Sequence, residues 1–498
     1  MIRRRQLLAG AGLGLAGAAF FGPRRARAAW GEWPEAHAEL ALPPERRAGR
    51  VLELYAYGGM CPWDTFYCMP EWGLADQRYL HAFGEAALAA RLGACGLAGA
   101  LAAPFATDDA GQLVHLGPWA APLRDRPDLL ARMRVVVLRH DQFPHSTAVP
   151  LALTGTRLGQ PALAGTGAAV ERFFRERDGG LLPRAAVVHP GDLSRFDNVQ
   201  TALAVGLHPG AARPLELPIA RLPDLMDLLA RPATAPQQAA HDAAVAGYTR
   251  RLGGRLRGPD GAPLRAPELG VYAAIDAARH DAGALVELLP PGLLGLPLAG
   301  VCGETTASIP TLAARVAAHL LGREGAAPID LARYALWVDA GLRPTVDGGH
   351  DSHSQHLDAA AGNYTHSLQV LADRINRPDE ADPTKLDLGD TMIAITTEFG
   401  RTPAREDHRE GLGHWPAAYV AVLIGGPITA PAVAGAIDPT SGVATRHATP
   451  TELRMALLLA LGIYPFDLGG FAPGDVLGGG DTRAALLRLR GELLGVGA

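Results

Sequence analysis

The sequence predicts an α/β fold built on a mostly parallel sheet, with helices packed on both faces. Two patterns carry that expectation, and composition permits it. Short apolar runs rich in Val, Ile and aromatic residues recur along the chain. They lack the polar alternation of a half-exposed strand, so they read as strands buried on both sides. Between them lie Ala- and Leu-rich stretches with helical spacing, the order expected when helices connect parallel strands. The chain has 498 residues, 48% hydrophobic and 19% charged, which is enough to bury a large core and unlike a disordered chain. Length alone allows about three domains. The pattern fits one α/β domain over residues 45–498 with a helical insertion.

The first 28 residues read as an export address. The pair Arg4-Arg5 precedes Leu7 and Leu8, a Gly- and Ala-rich apolar run follows to Phe21, and "GPRRARAAW" supplies a small-residue cleavage site after Ala28. These are the parts of a signal peptide, and the paired arginines favour the twin-arginine route into the periplasm or beyond. The predicted strands are "VLELYAY" (51–57), "RVVVLR" (134–139), "AAVVH" (185–189), "YALWVDAG" around Trp337, "MIAITT" (392–397) and "AYVAVLIGG" (418–426). Residues 312–321 and 453–461 have helical spacing. Residues 211–299 are rich in Ala, Leu and Pro and show no clear strand, which suggests a helical insertion or lid. Residues 376–390 form a polar, Pro-containing connector.

Composition narrows the partners. Net charge is −5 and no basic run exists beyond the N-terminus, which argues against nucleic acid because phosphate binding needs clustered Lys and Arg. No stretch after the signal reaches the ~18 apolar residues of a membrane span. Four cysteines, Cys61, Cys68, Cys95 and Cys302, allow two disulfides in an oxidising compartment, by three possible pairings. Cys61 and Cys68 are close enough in sequence to pair, and buried free thiols are the alternative.

Polar residues gather just after the predicted strands, where open parallel sheets bind ligands. The first strand leads to Asp64 and Thr65, the second to Asp141, His145, Ser146 and Thr147. The Trp337 strand leads to "GGHDSHSQH", with Asp351, His353 and His356. "MIAITT" leads to Glu398 and Arg401, and Asp407, His408 and His414 follow. Singly, each fits a turn or helix cap, since Asp, Ser and Thr bond free backbone N–H groups there. A histidine-rich loop after two glycines also fits simple solvation. Together, carboxylates and imidazoles at several strand ends are a ligand set for Zn²⁺ or Mn²⁺. Asp351 and His353 are two residues apart, so in an extended segment they share one side and suit one ion. His350 and His356 fall outside that pair and are expected in outer positions or in solvent.

In order, "GGMCPWDTF", "HSTAVPLALTG", "GGHDSH" and "TTEFGRTP" followed by "HWP" resemble an exported family catalogued as domain of unknown function 1501, within the alkaline-phosphatase-like and sulfatase-like superfamily. The resemblance spans about 51–424, and no motif covers 211–299. It implies a three-layer α/β/α sandwich with one or two divalent metal ions at the carboxyl edge of the sheet, Zn²⁺ or Mn²⁺ rather than Ca²⁺ or Mg²⁺. The implied ligands are Asp64, Asp351, His353, Glu398 and His414. The implied catalytic group is Ser146 or Thr147 as nucleophile, with His145 beside it. The sulfatase pattern Cys-x-Pro-x-Arg is absent. The family's Asp-His pair before Trp-Pro is also changed here, because Gly413 precedes His414, and Asp407-His408 upstream is the candidate replacement.

Two functions follow from this reading. One is an exported metal-dependent hydrolase or transferase of small phosphate or sulfate esters, in which Arg401 steadies the anion with its planar fork of donors or forms a salt bridge near Glu398. The other is a catalytically silent envelope protein that binds a glycan, a lipid or a protein partner.

Overall fold

The six apolar runs become strands of one eight-stranded sheet. They are β1 (Arg50–Ala56), β2 (Met133–Leu138), β3 (Ala185–His189), β5 (Tyr334–Asp339), β6 (Thr391–Thr396) and β7 (Tyr419–Gly425). Two short edge strands complete it, β4 (Leu215–Pro218) and β8 (Ala432–Ala434). The spatial order is β8-β2-β7-β6-β1-β5-β3-β4. Every strand runs in one direction except β7, which is antiparallel to both neighbours, β6 and β2. The computed structural model describes residues 30–71, 83–97, 99–158, 164–178, 183–191, 213–222, 288–322, 331–343, 349–406, 410–467 and 470–497, with isolated helical positions between 236 and 251. The expected signal segment 1–28, most of 211–299 and the Asp407-His408 pair lie outside the described residues.

Continuous burial of the strands has a simple cause. Successive side chains point to opposite faces, and both faces are covered. Leu52, Leu54 and Ala56 of β1 enter one core, with Leu312 and Leu320 of α4 (Ile309–Gly322) and Leu368 of α5 (His356–Asp373). Val51 and Tyr55 enter the other. That second core holds Val149 of α2 (His145–Thr154), Phe173 of α3 (Thr166–Asp178) and Leu457 of α6 (Pro450–Ala460). The molecule is therefore a mixed α/β protein with a large, mostly parallel sheet between helices. Among the described residues, no helix is long and apolar enough to cross a membrane.

One acid interrupts β1. Glu53 is fully buried, and Arg454 of α6 meets it in a two-pronged ion pair at 2.6 and 2.7 Å. The hydroxyls of Tyr334 and Thr396 donate to the same carboxylate at 2.5 Å. Four donors saturate its acceptor sites, which is what a buried charge requires. α6 is itself fixed by a capping box, in which Thr449 Oγ1 accepts from the Glu452 amide and the Glu452 carboxylate accepts from the Thr449 amide.

One expectation is corrected, and one open alternative is decided. Residues 211–299 are not free of strand: Leu215–Pro218 pairs in parallel with β3, and Leu298–Val301 forms a hairpin with Glu304–Ala307. Four-residue strands ending at Pro or a turn carry too little periodicity to be legible. Of the two alternatives open for Cys61 and Cys68, the structure takes the unpaired one. Both are buried free thiols, and the disulfide joins Cys95, just after α1 (Glu85–Ala94), to Cys302, which is 207 residues away.

Candidate functional site

The parallel strands end along one edge of the sheet, and three of their exits build a site there. After β5, Asp339 accepts from His350 Nε2 at 2.9 Å, and the His350 ring stacks on Tyr364. This anchor turns the chain so that Asp351 and His353 follow at the edge. Gly349 permits the turn, because a Cβ there would lie 2.2 Å from the Ala340 carbonyl. After β1, Gly58 adopts φ +124° and lies so close to the same loop that a Cβ would sit 2.3 Å from the Asp351 amide. After β2, the chain crosses Pro144 and starts α2 at His145. His414 arrives differently. It precedes β7, whose reversed direction brings its entry to the edge where the other strands exit. A short pairing of Gly400–Arg401 with His414–Trp415 fixes it there.

These elements bring His145, Asp351, His353 and His414 together, with one ligand atom of each within 4.8 Å of all the others. His145 Nε2 and His353 Nε2 both lie 3.3 Å from Asp351 Oδ1, and His414 Nε2 lies 3.9 Å from it. His353 Nε2 and His414 Nε2 are 2.8 Å apart. Ligand atoms placed tetrahedrally about 2.0–2.1 Å from a Zn²⁺ ion stand roughly 3.3 Å apart, so the observed spacings bracket that of a metal shell.

The opposite ring nitrogens are also held. His145 Nδ1 faces Glu398 Oε1 at 2.8 Å, His414 Nδ1 faces the Phe143 carbonyl at 2.7 Å, and His353 Nδ1 lies 3.5 Å from Glu406 Oε2. An acceptor on Nδ1 fixes each ring with its Nε2 lone pair turned inward, as in most histidine metal ligands. His145 Nε2 is buried and turned toward Asp351 Oδ1. The residues therefore fit a metal ion by ligand type, spacing and outer partners.

The local field also favours positive charge. Burial opposes the His145 imidazolium, but hydrogen bonds and charge from Asp351 and Glu398 outweigh it and raise the His145 pKa to about 9. Burial likewise opposes the Asp351 charge, yet His145, His414 and the Arg401 guanidinium hold its carboxyl well below the usual carboxylate range. His353 goes the other way: burial, and then the Arg401 charge, lower its pKa, so its nitrogen stays free to coordinate.

The remaining expected residues take other places. Glu398 is fully buried and faces His145 rather than the centre, and it also accepts from the Gly58 amide at 2.8 Å. Its proposed role as ligand becomes that of an orienting partner. Arg401 is also fully buried. It donates to Asp351 Oδ1 at 2.7 Å, to the Leu412 carbonyl at 2.8 Å and to the Gly58 carbonyl. Its donors are spent inside the protein, so it braces Asp351 and does not face a substrate anion. Asp64 lies apart from the four-residue centre, in a second buried group with Cys61 and His356. His356 is not in solvent: its Nε2 meets Asp64 Oδ2 at 2.8 Å and its Nδ1 meets Ser352 Oγ at 2.6 Å. Burial, and then the Asp64 charge, push the Cys61 thiol well above its usual pKa.

Pro144 is the N-cap of α2, with no side-chain cap. Ser146 is exposed, while the Thr147 hydroxyl turns back on the Pro144 carbonyl at 3.2 Å. Thr65 Oγ1 bonds the Cys61 carbonyl, and Asp141 pairs with Arg157 in solvent. Sequence reasoning missed Glu406, and it missed Cys61 as a possible ligand. The Cys61-x-x-Asp64 spacing was the only available signal for the latter.

Fold and site together define a class: a mixed α/β protein whose parallel strands converge on His/Asp groups that can hold a metal ion. Residues 348–474 match the family model described as "Protein of unknown function (DUF1501)". The match includes Asp351, His353, Glu398, Arg401 and His414 and supports that family for this part of the chain; His145 and Asp64 precede it. No curated protein matches the chain.

Proposed function

We propose that the protein is an exported metal-dependent hydrolase or transferase of small phosphate or sulfate esters, within the alkaline-phosphatase-like superfamily. One observation carries the metal-dependent part. Three histidines turn their Nε2 atoms toward Asp351 while each Nδ1 faces an oxygen acceptor. Three imidazole nitrogens and one carboxylate oxygen suit one Zn²⁺ or Mn²⁺ ion better than Ca²⁺ or Mg²⁺, which prefer all-oxygen shells. A bound divalent cation supplies Lewis-acid polarisation of an ester oxygen.

The chain's own residues do the rest in this reading. Glu398, the Phe143 carbonyl and Glu406 orient the three rings, and Arg401 holds Asp351. Ser146 is the preferred nucleophile, because its side chain is exposed next to His145 whereas the Thr147 hydroxyl is already bonded. The export part rests on the Arg4-Arg5 signal in the sequence.

Elemental analysis of protein purified without chelator, together with a screen of aryl phosphates and aryl sulfates, tests this function. The expected result is at least one Zn or Mn per chain and a turnover that Ser146→Ala abolishes. Metal-free folded protein, or full activity in Ser146→Ala, would refute the metal or the nucleophile respectively. One observation favours the alternative of a silent envelope binding protein for a glycan, lipid or protein partner: four protein ligands fill a tetrahedral shell, as structural ions do. Stoichiometric metal without turnover on any ester selects that alternative.

A further inference from the structure

We propose that Cys61, Asp64 and His356 form a second cation site, distinct from the four-residue centre, which takes a sulfur-seeking divalent ion such as Zn²⁺ and braces the ligand loop. The Cys61 sulfur, an Asp64 carboxylate oxygen and a His356 ring nitrogen all lie within 4.8 Å of one another. All three residues are more than nine-tenths buried. Asp64 Oδ1 is buried and accepts no hydrogen bond. An unpaired carboxylate oxygen inside a protein is costly unless a cation or donor meets it.

His356 repeats the arrangement of the first centre. Ser352 Oγ sits 2.6 Å from Nδ1, and Nε2 faces the carboxylate at 2.8 Å. With Nδ1–H donated to Ser352, Nε2 is free to coordinate. The Phe83 ring stacks nearly parallel on the imidazole, with centroids 6.0 Å apart.

Charge and ligand type select the occupant. A divalent cation bound by one thiolate, one carboxylate and one neutral imidazole makes a neutral set, which a buried site tolerates far better than a lone carboxylate. Sulfur, nitrogen and oxygen together suit Zn²⁺ and exclude Ca²⁺ and Mg²⁺. Binding exchanges the Cys61 thiol proton, which passes to solvent, for the metal–sulfur bond. The two sites share one loop: Asp351 and His353 serve the first, while Ser352 and His356 serve the second. Trp63, between Cys61 and Asp64, donates to the Arg401 carbonyl at 2.7 Å and ties this turn to the strand pairing that carries His414. The second ion is therefore structural, holding the turn after β1 against the loop that supplies the first centre. This site does not depend on the proposed hydrolase function.

Only the second site contains sulfur, which gives it a separate signal. The full-length protein is freed of metal and titrated with Co²⁺. The expected result is two ions per chain and a sulfur-to-cobalt charge-transfer absorption band. Cys61→Ala should lose the band and one equivalent, Cys68→Ala should keep both, and His353→Ala should lose one equivalent but keep the band. Absence of the band in wild type at saturating Co²⁺, or unchanged stoichiometry in Cys61→Ala, overturns the site and leaves a hydrogen-bonded chain from Asp64 through His356 to Ser352. Zinc-edge X-ray absorption on the unmutated, zinc-loaded protein needs no variant to fold. It should show a sulfur scatterer at about 2.3 Å, and a shell of nitrogen and oxygen alone overturns the proposal. Loss of the sulfur-free ion with the band retained would instead count against the proposed function.

Discussion

Glu398 illustrates how much of the first centre depends on residues that would not touch an ion. Its carboxylate holds the His145 ring from behind at 2.8 Å while being fully buried. Glu398→Gln keeps an acceptor for Nδ1–H but removes the charge, and outer partners of this kind are worth about 10–100-fold in metal affinity. Competition with a chelator of known strength should place Glu398→Gln in that range, with His353→Ala and Asp351→Ala weaker still. Equal affinity in Glu398→Gln and wild type would show that the ring is oriented by other means.

His145 also predicts a pH effect in chelator-treated protein. Its pKa is raised to about 9 from a usual 6.5. A raised histidine pKa contributes stability that is fully present below about pH 6.5, the unfolded value, and is lost as pH climbs through 9. The melting temperature of the metal-free protein should therefore fall between pH 6.5 and 9, and His145→Gln should flatten that slope. A slope identical in both proteins would assign the effect to other groups.

At the scale of elements, the link between β1 and α6 is the most exposed to mutation. Glu53 and Arg454 are both buried, and each is the other's charge partner. Removing one member leaves an uncompensated buried charge, which costs about 3–5 kcal/mol. Urea unfolding should show a loss of that size for Glu53→Gln and for Arg454→Met. The pair Glu53→Leu with Arg454→Met should be much less harmful than the two losses summed, because no unpaired charge remains. A strictly additive double variant would mean that the two side chains act independently.

At the scale of the molecule, covalent and topological links join segments far apart in sequence. The Cys95–Cys302 disulfide connects the end of α1 to the hairpin after 288–296. Protein denatured without reductant should expose two titratable thiols, Cys61 and Cys68, and peptide mapping should find Cys95 linked to Cys302. A Cys61–Cys68 peptide would contradict the structure. Native disulfides of long loops stabilise by about 2–5 kcal/mol, so Cys95→Ser should lower the melting temperature without changing ion stoichiometry at the histidine centre. The proposed export is tested at this scale too. Arg4→Lys with Arg5→Lys should leave unprocessed precursor inside the cell, and normal processing of that variant would rule out the twin-arginine route.

The sequence by itself determined the strands that are long and buried on both sides. Val51–Ala56, Ala185–His189 and Tyr419–Gly425 are legible because β-branched and apolar runs of five or more residues have few other ways to be buried. It also marked Asp351, His353 and His414 as ligand-type residues near strand ends. Tertiary structure alone decided which residues meet. His414 reaches the centre because β7 runs against its neighbours, and strand direction is a property of pairing that no local pattern encodes. Asp64 and Glu398 follow neighbouring parallel strands, β1 and β6, yet one faces His356 and the other His145. Arg401 shows the same limit most clearly. A sequence reveals five donors but not where they are spent, and here the nearby carbonyls and Asp351 take them before any ligand can.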